Sequence, residues 1–214
     1  MGVNMTATKR KNYFQNLFFV QRRPRLRVAY EWEKPANDDE FQKQIHEEDF
    51  VSPKYWSEGN LDDYPVVKRD VEDLEEYLLP AFFKFNQQSR YFQNQYYLYQ
   101  WVFTFGAFVT TVLGSLATLY YPPPGMTTNA NDQAIQQVFS FATAVVGAIT
   151  AFTTILSNRG EPQKQWGRTR RLAEELRMNY FTYISHLPPF DSGDRIRTLR
   201  ETVLNIRQKE VGNV

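Results

Sequence analysis

The chain has 214 residues, 25 Lys and Arg against 24 Asp and Glu, and no cysteine. That length holds one domain or two with a real core, and the lack of cysteine excludes disulfide scaffolds, thiolate metal sites and cysteine nucleophiles. A net charge of +1 gives no bulk attraction for nucleic acid, and a mean hydropathy of −0.55 reads as an ordinary soluble chain. The charge, however, is unevenly placed.

Residues 1–30 carry seven basic side chains (Lys9, Arg10, Lys11, Arg22, Arg23, Arg25 and Arg27) and no acid. Residues 31–64 carry eleven acids against three lysines. Two uses of the basic stretch fit equally: contact with anionic headgroups, at about 1 kcal/mol per basic residue near the surface, or loose pairing with the acidic stretch beside it. An Arg-rich start resembles a mitochondrial presequence, but Pro24 breaks any long amphipathic helix there. Leu17–Val20 is too short for a signal-peptide core. Residues 1–64 therefore read as a cytoplasmic segment, basic then acidic and partly disordered.

A helical pattern begins at residue 65 and runs to 98. Val67, Val71, Leu74, Leu78, Ala81 and Phe85 step by four and three, the spacing of a packing seam. Asp70, Glu72, Asp73, Glu75 and Glu76 are expected to solvate the other face. Pro80 should interrupt or kink this helix.

Between Arg90 and Arg159 stands one formal charge, Asp132. Residues 99–121 and 134–157 are apolar, aromatic or small, and at roughly 34 and 36 Å as helices both exceed the hydrocarbon thickness of a bilayer. Tyr96, Tyr97, Tyr99 and Trp101 at one end of the first span, and Tyr120 and Tyr121 at the other, suit the water–lipid boundary. The connection 122–133 holds three prolines and Gly125 but no Lys or Arg, whereas Lys84 and Arg90 precede the first span. Arg159, Lys164, Arg168, Arg170 and Arg171 follow the second. The positive-inside rule then puts both termini in the cytoplasm, those five basic residues at the inner headgroups, and the loop outside, with the first span as targeting signal.

Residues 160–214 read as cytoplasmic helices. Asn158, Arg159, Gly160 and Pro162 mark a stop or bend, after which Trp166, Ala173, Leu176, Tyr180, Tyr183 and Leu187 restore helical spacing until Pro188 and Pro189. Asp191 or Ser192 can cap a last helix with Ile196, Leu199, Val203 and Ile206 on one face. The fold class is thus all-α: a two-helix transmembrane hairpin extended by a small cytoplasmic bundle, expected as a symmetric homo-oligomer.

The second span carries the most informative pattern. Gln136, Ser140, Thr143, Gly147, Thr150, Thr154 and Ser157 recur in alternating steps of four and three, and every one is small or hydrogen-bonding. The first span repeats this less strongly at Gln100, Thr104, Ala107, Thr111, Gly114 and Thr118. Such stripes allow helices to approach and bond across the contact, or line a wet pore when several subunits surround an axis. Both readings stand on the residues alone. Asp132, just before the second span, would stabilise the helix N-terminus and, in a symmetric assembly, form an acidic ring at the outer mouth that draws cations.

No phosphate loop, His/acid metal spacing, Gly-x-Ser-x-Gly elbow or zincin motif occurs in the sequence, so neither a cofactor nor an enzymatic reaction is expected. His46 and His186 read as surface residues, and Glu174 and Glu175 as helix-face partners of Arg170, Arg171 and Arg177.

The two uncharged spans, the approach Arg90-Tyr91-Phe92 and the run Trp166-Gly167-Arg168-Thr169-Arg170-Arg171-Leu172-Ala173-Glu174-Glu175-Leu176-Arg177 together resemble the SLATT group of bacterial two-transmembrane proteins over about residues 65–210. That resemblance implies two spans with cytoplasmic helices and a pore-forming role, often coupled to nucleotide-sensing defence systems. It raises the pore reading above the packing reading. The expectation is an oligomeric channel or pore of the bacterial inner membrane, permeable to cations and lined by the second span. Its partners would be the bilayer, copies of itself and permeant ions, with no nucleic acid. The alternative is a non-conducting anchor or scaffold whose cytoplasmic helices bind a partner or lipid.

Overall fold

A computed structural model describes residues 24–25, 27–56, 61–120 and 130–211. Lys9, Arg10, Lys11, Arg22, Arg23, Tyr121 and the prolines and glycine of the expected outer loop lie outside those residues. The described elements are helical: α1 (Asp38–Glu47), α2 (Pro65–Tyr77), α3 (Leu79–Leu119), α4 (Ala130–Gly160), α5 (Pro162–Ile184) and α6 (Arg195–Val211), with 3-10 turns at Pro53–Tyr55 and Leu61–Asp63. No strand occurs among the described residues. They sort into two compact units, one of the described residues up to Arg27 and within Gln93–Pro162, the other of those within Val28–Phe92 and from Gln163 onward.

In the first unit, α3 beyond Gln93 and α4 are long and apolar enough to cross a membrane. Their most apolar stretches are almost wholly unburied in the chain itself, at 0% and 6%. Phe105, Phe108, Val138, Phe141 and Phe152 are each more than half exposed. A helix from the core of a soluble bundle would have those rings covered. The α4 helix ends where Glu161 adopts a left-handed φ of 38°, and Pro162 opens α5, a first-turn position where its missing N–H costs nothing.

The second unit has the ordinary core. Leu74, Leu78, Ala81, Phe82 and Phe85 meet Leu172, Ala173, Leu176, Tyr180 and Tyr183, and Leu199, Val203 and Ile206 close the cluster. The helical pattern of 65–98 is interrupted beside Pro80, as expected. The break falls between Tyr77 and Leu79, so Pro80 is the second residue of α3, where no intrahelical N–H is needed. Leu187 is also not on the buried face, because α5 stops at Ile184 and His186 takes a left-handed φ of 52°; Phe190 packs on Tyr183 instead. Neither Asp191 nor Ser192 caps the last helix, which starts at Arg195 with the Thr198 N–H donating to the Asp194 carbonyl.

The acidic stretch 31–64 contributes more than its composition suggests. Asn37 caps α1, its Oδ1 accepting from the Asp39 N–H at 3.0 Å, and three acids fill the first turn, where they complement the helix dipole. Phe41 and Ile45, one turn apart, and Phe50 just beyond the helix are buried in the core. Two full turns of helix therefore sit inside a segment whose charge content reads as solvated.

Candidate functional site

The stripe on α4 divides into two edges. Gln136, Thr143, Thr150 and Ser157, seven residues apart, are half-buried; Ser140, Gly147 and Thr154, also seven apart, are exposed. The half-buried edge continues through Phe139, Val146 and the buried Thr153. It faces α3 across a close approach at Gly106, where an added Cβ would stand 2.4 Å from Thr150 Oγ1. Near the other end Tyr120 and Phe139 lie with ring centroids 6.0 Å apart. Along the span part of α3 the half-buried residues are Trp101, Val102, Phe103, Gly106, Val109, Thr110, Leu113, Gly114, Leu116 and Ala117; of the expected stripe Gln100 and Gly114 are half-buried, whereas Thr104, Ala107, Thr111 and Thr118 are exposed. The contact on α3 is set by a glycine between β-branched and leucine residues. The hydroxyl row is turned away from it.

The hydroxyls satisfy themselves locally. Thr143, Thr150 and Thr154 Oγ1 donate to the carbonyls of Phe139, Val146 and Thr150 at 2.8, 2.9 and 3.0 Å. Thr104 and Thr111 do the same to Gln100 and Ala107 at 2.9 and 2.8 Å. A threonine bonded this way has used its only donor, so its oxygen presents acceptor lone pairs outward. In hydrocarbon the bond removes the cost of an unpaired O–H; facing water or a cation, the same oxygen is a ligand.

Asp132 lies in the first turn of α4, inside the helix that begins at Ala130, and is half-buried. Its charge there interacts favourably with the exposed N–H groups of that turn. The basic residues in the last turn of α4 and along α5 have varied surroundings. Arg159, Lys164, Arg170 and Arg171 are exposed, and Arg170 pairs with Glu174 one turn on. Arg168 is turned to α6, where its Nη2 donates to the carbonyls of Lys209 and of Glu210, the latter at 2.6 Å.

The second unit holds a polar cluster that the sequence reading missed. Asp70, assigned to the solvated face of α2, is buried. Its carboxylate meets His186 Nε2 at 2.6 Å and Arg195 Nη1 at 3.1 Å. Arg195 also lies over the Tyr183 ring, 4.4 Å from its centroid, and donates to the Tyr183 carbonyl at 2.8 Å. Tyr183 Oη donates to Asp73 Oδ2 at 3.0 Å, and burial followed by that carboxylate pushes the phenol above its ordinary range. An open cleft of about 970 Å³ beside them is lined by α2 and the start of α6. Four arginines (Arg69, Arg195, Arg197, Arg200) and four acids (Asp70, Asp73, Asp194, Glu201) line it, so their formal charges cancel. Position 70 is three residues after Val67 and four before Leu74, which places it on the seam, and that spacing was the available signal. No group of three or more potential metal ligands occurs among the described residues.

A family model described as a protein of unknown function, DUF4231, matches residues 81–196, more than half of the chain. The chain belongs to the DUF4231 family. No curated protein and no solved structure matches it. The DUF4231 match spans both long apolar helices, nearly all of α3 and the whole of α5, and it leaves α1, α2 and most of α6 outside.

Proposed function

We propose that this DUF4231 protein inserts into a membrane as a two-span hairpin with both termini in the cytoplasm, assembles as a symmetric homo-oligomer and conducts cations through a pore lined by α4. One observation carries the reading: helix packing within the chain uses one edge of the α4 stripe and leaves the other, Ser140, Gly147 and Thr154, open. One hairpin cannot enclose a channel, so an open polar edge flanked by exposed Phe141 and Val145 suits a helix with lipid on one side and an axis shared by several subunits on the other. On that edge the Thr154 oxygen, its proton already donated to the Thr150 carbonyl, favours cations over anions. Repeated around the axis, Asp132 adds negative charge at the outer mouth. The resemblance to the SLATT group supports the same role.

The test is purified full-length protein in liposomes. Oligomer size is read by cross-linking, and potassium and chloride flux by ion-sensitive dyes. Gly147→Leu adds a side chain where nothing lies within 4 Å, so the hairpin should survive and cation flux should fall. A protein that stays monomeric, or passes no ion, removes the proposal. The back-bonded hydroxyls give one specific reason for the second reading, a non-conducting anchor or scaffold: groups satisfied within their own helix can face lipid. In that case Gly147→Leu leaves every flux measurement at the liposome background.

A further inference from the structure

Residues 48–51 follow α1 and bridge α3 and α5, which also meet each other in the core. Glu48 is the centre: its Oε1 accepts from Asn86 Nδ2 at 2.9 Å and from Arg90 Nη2 at 2.5 Å, and its Oε2 accepts from Arg177 Nη2 at 2.8 Å. Asn86 and Arg90 belong to α3 and Arg177 to α5, so one carboxylate ties the two helices together. Phe50 packs against Phe82 of α3 at 4.8 Å and Tyr180 of α5 at 4.5 Å between ring centroids. Arg177 lies over both Phe50 and Phe82, at 5.4 and 5.3 Å from their centroids. Val51 closes the contact through its backbone, its N–H donating to Tyr180 Oη at 3.0 Å and its carbonyl accepting from the same hydroxyl at 3.3 Å. Asp49 makes the geometry possible. Its left-handed φ of 61°, a conformation aspartate tolerates better than most residues, turns the chain between Glu48 and Phe50.

The two helices joined this way carry the spans. The α3 helix runs unbroken from Leu79 to Leu119, and α5 follows α4 after the single break at Glu161. Both walls of the contact lie within the DUF4231 match, 81–196, and the bridging segment lies outside it. We infer that residues Glu48–Val51 are a latch that fixes the separation of α3 and α5 and so restrains the pore, its release letting the span-bearing helices part. This rests on the channel reading for its consequence, though not for the latch itself. The bonds are the kind that can yield: Glu48 is near the surface with a 16% exposed side chain, and its partner Arg90 is 59% exposed.

The experiment uses the full-length protein in liposomes with two mild variants, Glu48→Gln and Tyr180→Phe, alone and together. The first removes the charge shared by Arg90 and Arg177, and the second removes the hydroxyl holding Val51. Neither deletes a core ring, and retained helix content by circular dichroism establishes the fold. Spin labels on Lys84→Cys and Met178→Cys, free of competing native cysteines, report the α3–α5 separation, and hydrogen exchange of amides 48–52 reports the latch. Hydrogen bonds to charged groups are strong enough that exchange should rise by about tenfold or more. Wider separation and raised cation flux should accompany it. Unchanged separation once exchange has risen overturns the latch, whether or not the protein conducts, and so does unchanged exchange in the double variant. Wider separation with unaltered flux in a conducting protein overturns the restraint on the pore. Wider separation in a protein that conducts in no form keeps the latch and removes the channel.

Discussion

Gly106 should be the most sensitive small residue of the hairpin, and the structure supplies the magnitude. A Cβ at this position would lie 2.4 Å from Thr150 Oγ1, while the next atoms, Thr150 Cβ and Cγ2, lie at 3.6 and 3.7 Å. Non-bonded heavy atoms prefer about 3.5 Å or more, so Gly106→Ala must gain roughly 1 Å. Either Thr150 rotates and loses its 2.9 Å bond to the Val146 carbonyl, or the helices move apart and loosen the seam. Overpacking of this kind costs about 1–3 kcal/mol, partly offset by alanine's advantage of about 1 kcal/mol over glycine within a helix. Gly114→Ala on the same helix has that advantage without the clash, since nothing lies within 4 Å. Denaturant unfolding of the full chain in a dissociating detergent should therefore rank Gly106→Ala about 1–3 kcal/mol below Gly114→Ala. Thr150→Ala removes Oγ1 and leaves a contact of 3.6 Å, so the double variant should regain most of the loss. Equal stability of the two alanine variants, or strict additivity of Gly106→Ala with Thr150→Ala, would refute the close approach.

Asp70→Ala should be the most damaging single change in the second unit, lowering stability by about 3–5 kcal/mol, because it leaves Arg195 largely buried beside an unfilled charge site; a thermal shift of under a few degrees would contradict the burial of that pair. Glu75 is held above its ordinary 4.5 chiefly by burial, against the lowering effect of the Gln42 hydrogen bond. The folded chain then binds that proton more readily than the unfolded one, so this group's contribution to stability falls as pH rises from about 4.5 through the raised value. Glu75→Gln should thus raise the melting temperature at pH 7 and lose that advantage at pH 4, and a constant difference across the range would refute the sign. Arg168→Gln should free the last turn of α6, with amides near Lys209 exchanging several-fold faster while the α2 amides are unchanged.

What was legible in the sequence was whatever depends on one helix at a time. Charge-free length marked α3 and α4, and the four-three spacing from Val71 to Phe85 marked the face that meets α5, because both follow from the geometry of a single helix. Pairings across the chain were not legible. Asp70 and His186 are 116 positions apart, and Glu48 lies 129 positions from Arg177. Each resembles a solvated charge until the partner is known. Phe41, Ile45 and Phe50 were obscured for a different reason: a ten-residue helix with three acids in its first turn has the composition of a disordered segment, while its burial depends on walls supplied by α3 and α5. The α4 stripe was visible, but its division was not. Steps of four and three spread seven residues over an arc wide enough to touch two surroundings, and only the position of Gly106 determines which half meets α3.

That division gives the two edges of α4 different physical duties. Along Gln136, Thr143, Thr150 and Ser157 the side chains are half-buried, and at Thr150, opposite Gly106, size is limited by packing inside the hairpin. Along Ser140, Gly147 and Thr154 no packing within the chain limits size, yet these positions hold a serine, a glycine and a threonine. Lipid contact alone would accept leucine there at no cost, and in hydrocarbon would favour it. On the proposed reading, the small residues of this open edge answer to a second occupant, a neighbouring helix at close range or water around an axis. Leucine at Gly147 separates those two: a helix interface should come apart, whereas a pore should remain assembled and conduct less. The contrast is sharpest against Thr143→Leu, where a smaller added volume acts on the half-buried edge and should reduce hairpin stability before it affects any assembly.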